Sequence, residues 1–100
     1  MAIATKSDTA VKLSARQVKM ISRALADPRR FEILQKIAAQ KCSACSDLKE
    51  CFPITAATMS HHMKELQNAG LIETEKRGKF VDITFCRDTW DAYLAELKKL

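Results

Sequence analysis

Apolar positions recur at helical spacing from Ser14 onward. Val18, Ile21 and Leu25 form one row, widened by Met20 and Ala24, and Ser14 is placed to cap the helix they define. The row stops at Asp27-Pro28. Aspartate is a good cap and proline suits the first helical position, so a second helix starts at Pro28. Phe31, Ile33, Leu34, Ile37 and Ala38 give it the broad stripe of a core helix. Arg29 and Arg30 fall in its first turn, against the helix dipole, and read as salt-bridged surface residues or as phosphate contacts. Residues 40–45 are polar and cysteine-bearing and read as a loop. Residues 46–52 can form two helical turns with Leu48 and Phe52 facing inward, ended by Pro53.

The stretch from Ile54 to Gly70 has a defined start and stop. Thr55 is an N-cap candidate, Gly70 stands where a left-handed C-cap is expected, and Leu71 can close that end with an apolar contact. Met59, Met63 and Leu66 follow the i, i+4, i+7 rule and make one apolar stripe. Ala57, His61, Lys64 and Asn68 fall on the opposite side, flanked by Thr58, Ser60 and Glu65. His62 lies at the edge of the stripe and reads as a packing residue that hydrogen-bonds locally. An outer face that is small at its start, then polar and basic, suits a helix that reads a surface. An ordinary solvated helix carries the same pattern. Preceded by a shorter helix across a joint of about three residues, it matches a helix-turn-helix.

After Gly70 the period falls to two. Leu71 to Lys76 alternates, Phe80 to Phe85 alternates again, and Arg77-Gly78-Lys79 reads as the loop of a hairpin whose tip carries Lys76, Arg77 and Lys79. Asp88 is placed to cap a last helix from about Thr89 to Leu100. Its Trp90, Tyr93, Leu94 and Leu97 form a large apolar face for a chain end, which fits against the first helix, a second subunit, or both. The predicted architecture is mainly α with a small β-hairpin, in the order ααααβ-βα. A flexible arm covers residues 1–13 and one domain covers 14–100.

One hundred residues support one domain with a small core, a limit that a dimer would relieve. A net charge of +5 suits an anionic partner, nucleic acid first, although a charge of this size also serves solubility alone. The first thirteen residues mix Lys6, Asp8 and Lys12 with small polar residues, and no apolar run reaches the roughly 18 residues of a membrane span. The chain therefore reads as cytoplasmic, with no membrane partner. In that compartment its four cysteines read as thiols, metal ligands or redox groups rather than structural disulfides. No phosphate loop, paired catalytic carboxylates or Cys–His pair points to an enzyme.

Ala24-Leu-Ala-Asp-Pro-Arg-Arg-Phe-Glu-Ile-Leu34 resembles the opening of the second helix of the ArsR/SmtB-type winged-helix repressors. Asp47-Leu48, Ile54-Thr55, Thr58-Met-Ser-His-His62, Lys64, Leu66 and Ala69-Gly-Leu71 resemble that family's helix-turn-helix, and Arg77-Gly78-Lys79 resembles its wing. The pieces stand in order and at the right spacing. The resemblance implies a winged helix-turn-helix that represses transcription until an effector binds. It also implies a homodimer joined through the first and last helices, with Val18, Ile21, Leu25, Trp90, Tyr93, Leu94 and Leu97 as contact residues.

The second helix of such a motif lies in the major groove with its N-terminal residues near base edges. Ala57, Thr58, Ser60 and His61, with Thr55 at the helix start, are then the candidates for DNA contact. Lys64 fits a phosphate, and Arg77 and Lys79 fit phosphates or the minor groove. No Arg, Asn or Gln stands in the first two turns for a bidentate base contact, so DNA shape is expected to assist readout. A dimer would seek an inverted-repeat operator in double-stranded DNA.

Cys42-Ser-Ala-Cys45 is a CxxC, and Cys51 follows it. Three thiolates near a helix start could hold a soft metal or trivalent metalloid such as zinc, cadmium or arsenite. The pair alone could be a redox couple, or the thiols could have no sensing role. Family sensors that use this region carry Cys-x-Cys directly before Asp-Leu; here Ala44 and Ser46 fill those places, with Cys45 between them. The family's site on the last helix begins Asp-x-His, and this chain has Asp88-Thr-Trp90 there. Cys51 and Cys86 read as packing residues. Two further readings stay open: a winged-helix module whose basic face meets an acidic protein, and a repressor of this type without metal sensing.

Overall fold

The structure, a computed structural model, describes residues 12–40, 42–44 and 50–100. Among these residues the elements run α1 (Ala15–Leu25), α2 (Pro28–Gln40), β1 (Cys42–Ala44), α3 (Ala56–Asn68), β2 (Ile72–Arg77), β3 (Phe80–Phe85) and α4 (Arg87–Lys98). Most of the expected arm, Cys45 and most of the expected helix at 46–52 lie outside the described residues. Glu50 and Cys51, at the end of that helix, are described and are helical.

Local chemistry fixes the helix starts. Ser14 Oγ accepts from the Gln17 amide at 3.1 Å and caps α1 as expected. Asp27 Oδ1 accepts from the Arg30 amide at 3.1 Å and does the same for α2, one residue before Pro28. The apolar faces then close on one core. Ile21 and Ala24 come from α1, Ile33, Leu34 and Ile37 from α2, and Met59, Met63 and Leu66 from α3. Ala69, Leu71, Ile72, Ile83 and Tyr93 complete it. Phe31, which the pattern placed in the core stripe of α2, is exposed instead. It lies about 200° round the helix from Ile33, at the margin of the stripe.

The sheet is antiparallel with strand order β1-β3-β2. The hairpin pairs Ile72 with Phe85 at one end and Arg77 with Phe80 at the other. On the opposite side of β3, Cys42 pairs with Thr84, Ser43 with Ile83 and Ala44 with Asp82. This corrects the reading of residues 40–45 as a loop. A three-residue strand is too short to show a period, and it is specified by the free edge of β3. The hairpin loop is also shorter than expected. With Arg77 opposite Phe80 the turn is the two residues Gly78-Lys79, and Gly78 supplies the positive φ of 60° that primed turns require. The last helix starts two residues before the expected Thr89, because Cys86 rather than Asp88 holds the N-cap. The Cys86 carbonyl accepts from the Trp90 amide at 3.1 Å, and no side chain caps the helix. Asp88 sits in the first turn, where its charge favours the dipole.

The end of α3 is a Schellman motif. The Gly70 amide donates to Gln67 O at 2.9 Å and the Leu71 amide to Leu66 O at 3.1 Å, with Gly70 at φ 81°. A Cβ there would meet Gln17 Nε2 at 2.8 Å, a flexible end that can move, so the backbone sets the penalty. Gly70→Ala is expected to cost about 1–2 kcal/mol, read as a lower thermal midpoint. Gly70→Asn should cost less, because asparagine tolerates the left-handed region.

Candidate nucleic-acid interface

Thr55 starts α3 by accepting from the Thr58 amide at 3.1 Å, and its hydroxyl donates to Thr58 Oγ1 at 3.0 Å. Just before it, the Ile54 amide bonds Phe52 O at 2.9 Å across Pro53, a tight turn that delivers the chain into the helix. Met59, His62, Met63 and Leu66 are buried, whereas Thr55, Ala57, Thr58, Ser60, His61 and Lys64 are all exposed. The helix thus presents a continuous small-to-basic surface with its other side fixed in the core. Thr74 Oγ1 donates to Gln67 Oε1 at 3.4 Å and ties α3 to β2, the first strand of the hairpin.

His62 is 6% exposed, as a packing residue should be, but its partner is not local. Arg30 Nε donates to His62 Nδ1 at 3.4 Å, which leaves Nε2 to carry the proton of the neutral ring. Arg30 Nη1 also donates to Ala24 O at 3.4 Å, and Nη2 lies 3.9 Å from Asp27 Oδ2. One guanidinium therefore joins the end of α1, the α1–α2 corner and α3. Arg29 is the surface residue of the pair, 3.6 Å from Glu32 and 5.5 Å from the Phe52 ring centre.

Burial pushes the His62 imidazole below its ordinary range. The charges of Arg30, His61 and Arg29 act in the same direction, and the Asp27 carboxylate opposes them. Asp27 is itself lowered, chiefly by the Arg30 amide. A histidine with a depressed pKa binds fewer protons folded than unfolded, so its contribution favours the folded state as pH rises. That contribution is full above the ordinary value of 6.5 and is lost as pH falls below it toward the folded value. Thermal melts between about pH 7 and pH 5 should show stability falling with acid, and His62→Gln should flatten that slope.

In the hairpin, Arg77 and Lys79 are exposed as expected, and Arg77 Nε lies 2.6 Å from Asp82 Oδ2. Phe80, directly opposite Arg77, is 61% exposed. The sequence pattern left Asp82 and Phe80 without a role. The signal was available, since strand alternation already put both on the face away from Ile83.

Of the residues expected to join two subunits, Ile21 and Tyr93 lie in the core of one, and Tyr93 Oη bonds Ser22 Oγ at 2.8 Å. Val18, Leu25 and Trp90 are half-buried, while Leu94 and Leu97 are 38% and 44% exposed. Cys51 is an exposed free thiol, which corrects its reading as a packing residue. Cys86 is half-buried, and burial pushes its thiol up, with Glu73 and Asp88 adding to the effect. Cys42 lies in β1 and Cys45 outside the described residues. Among the described residues no three metal-ligating side chains cluster, and no helix is long and apolar enough to cross a membrane.

Residues 25–75, half of the chain, match a family model described as a helix-turn-helix domain. The arsenical resistance operon repressor of Staphylococcus xylosus is 39% identical over 66 residues, covering 66% of this chain and 62% of that protein. The chain thus spans about three-fifths of that relative's length. The crystal structure of an ArsR family transcriptional regulator superposes with a TM-score of 0.78 at 25% identity, covering 89% of this chain and 91% of the other. A homodimeric winged helix-turn-helix DNA-binding domain from Mycobacterium bovis, solved in solution, has the same fold at a TM-score of 0.69 and 24% identity, covering 89% of each chain. With its two-strand hairpin, its capped α3 and these likenesses, the chain belongs to the ArsR-type winged helix-turn-helix regulators, a family of DNA-binding proteins and not of enzymes.

Proposed function

We propose that this chain is a homodimeric, sequence-specific transcriptional repressor, one winged-helix domain over residues 14–100 behind an N-terminal arm. The observation that carries the reading is the division of α3: Met59, His62, Met63 and Leu66 are buried while Ala57, Thr58, Ser60, His61 and Lys64 stand uncovered together. In the major groove, Ala57 and the Thr58 methyl would meet thymine methyls, Ser60 and His61 would bond base edges, and Lys64 would take a phosphate. Thr55 holds the helix start toward the DNA backbone. Arg77 and Lys79 would take phosphates or enter the minor groove beside the hairpin. Leu94 and Leu97, with the half-buried Val18, Leu25 and Trp90, supply an apolar surface for a second copy. The homodimeric state of the Mycobacterium bovis neighbour supports that assembly. The operator would be an inverted repeat with half-sites about one helical turn apart. The site of action is the cytoplasm.

The name of the Staphylococcus xylosus relative supports a thiol-directed effector at Cys42 and Cys45, with Cys51 as a third ligand: arsenite, zinc or cadmium, or an oxidant acting on the pair. Exposure of Cys51 suits such chemistry. Ligation would favour a dimer geometry that spaces the two α3 helices badly, a coupling of about 1–3 kcal/mol. Two measurements test the whole. Duplexes selected from a randomised pool should bind saturably, with log affinity falling linearly against log salt. Arsenite, zinc, cadmium or oxidant should then weaken binding by about 5- to 150-fold, and Cys42→Ser/Cys45→Ser should abolish that response. Absence of any selected sequence would overturn the repressor. An undiminished response in the double variant would overturn the thiol site alone.

A further inference from the structure

We infer that Asp82 is a positioning residue for DNA recognition, one that fixes the Arg77 guanidinium so that its terminal nitrogens face the groove. The inference rests on the DNA-binding reading above. Arg77 Nε is 2.6 Å from Asp82 Oδ2. A pair made through Nε leaves the donors on Nη1 and Nη2 available to a phosphate or a base edge. The Arg77 side chain is 71% exposed, whereas that of Asp82 is 23% exposed.

The two residues differ in how firmly the backbone holds them. Asp82 sits on β3, the central strand, between Ala44 of β1 and Glu75 of β2. Arg77 is the last residue of the edge strand, one position before the Gly78-Lys79 turn. The rigid partner is thus the carboxylate and the flexible one is the cation. Holding a long side chain before DNA arrives removes part of the rotamer entropy that its docking would otherwise cost.

The electrostatics make the arrangement informative. Glu75 lies directly opposite Asp82, so two carboxylates stand side by side on the face that carries Arg77. Acting only as a charge, Asp82 would repel every DNA duplex equally. Acting as a positioner, it helps only where Arg77 docks in one defined place, which is in the specific complex. The two roles therefore separate in the ratio of specific to non-specific affinity.

The test uses the full chain and two duplexes of roughly 30 base pairs, long enough for two half-sites. One is selected by the parent protein from a randomised pool, and the other is a scramble of the same composition. Asp82→Asn is expected to lower the selected-to-scrambled affinity ratio about three- to tenfold, with affinity for the scramble unchanged or raised. In an Arg77→Ala background, Asp82→Asn should leave the ratio unchanged. Asp82→Glu, which keeps the carboxylate, should recover most of the lost selectivity, provided circular dichroism shows the variants folded alike. An equal shift on both duplexes would mean that Asp82 is a bare charge and would overturn the inference. So would a fall in the ratio that persists without Arg77. A parent that selects no sequence overturns the DNA-binding reading first, and this inference with it.

Discussion

His61→Ala combined with Arg77→Ala is expected to weaken binding to the selected duplex by about a hundredfold or more, with thermal stability little changed. Each well-placed contact to a base or phosphate contributes about 1–3 kcal/mol, and the two residues sit on separate elements, α3 and β2, so their losses should nearly add. Both side chains are exposed, and neither belongs to the core. Losing Arg77 removes the Asp82 ion pair, but an exposed pair is worth little to folding. The salt dependence should also become shallower, because a phosphate contact releases fewer counterions once its cation is gone. The same variant separates repression from a protein-docking role. If the basic face instead met an acidic protein, selective DNA binding would be missing from the parent. Parent-like affinity in the double variant would remove α3 and the hairpin from the interface.

Leu66→Ala is expected to have the largest effect on stability. Leu66 is fully buried on the inner side of α3, where truncation loses apolar contact and leaves a cavity. The cost should be about 2–5 kcal/mol, a large share of the 5–15 kcal/mol typical of a domain. The backbone carbonyl of Leu66, which accepts from Leu71, is untouched, so the helix end should survive. A melt at fixed protein concentration should show the midpoint falling by roughly 10 °C or more. Leu66→Met, which nearly conserves volume, should cost less than about 1.5 kcal/mol. A shift of only a degree or two for the alanine variant would mean that the inner side of α3 is not packed as described. DNA binding by the alanine variant should return on cooling, because the lost quantity is the folded fraction and not a contact.

The parts legible in the sequence are those encoded locally. Ser14, Asp27 and Thr55 cap helices through their own side chains, and Gly70 ends one through its own φ, so each can be read within a few residues. The Met59, Met63, Leu66 stripe was legible for the same reason. What escaped depends on distant partners. Cys42–Ala44 is a strand only because β3 offers an unpaired edge. The hairpin turn is one residue shorter because strand register pairs Arg77 with Phe80 and takes it into β2, and α4 starts two residues earlier because Cys86, not Asp88, holds its N-cap. His62 looked like a local packing residue, yet its partner Arg30 is 32 positions away. Ile21 and Tyr93 are consumed inside the subunit because α1 and α4 each have more than one apolar side, and spacing cannot rank them. In the candidate interface, the exposed row of α3 is readable from the helical period, whereas the Arg77–Asp82 pair requires the register of two strands.

The strand order also bears on how copies of this chain can meet. An open sheet edge is a template for uncontrolled growth, since its free amides and carbonyls accept any extended segment. Here the apolar central strand β3 has both sides occupied. One outer strand, β1, is only three residues long, and the other, β2, carries Glu73, Glu75, Lys76 and Arg77 in its six residues. Shortness protects one edge and charge protects the other. Edge-to-edge polymerisation is thereby disfavoured, so the proposed dimer would have to form through side chains instead, and the uncovered Leu94 and Leu97 of α4 offer a surface on which a two-fold contact would close on itself.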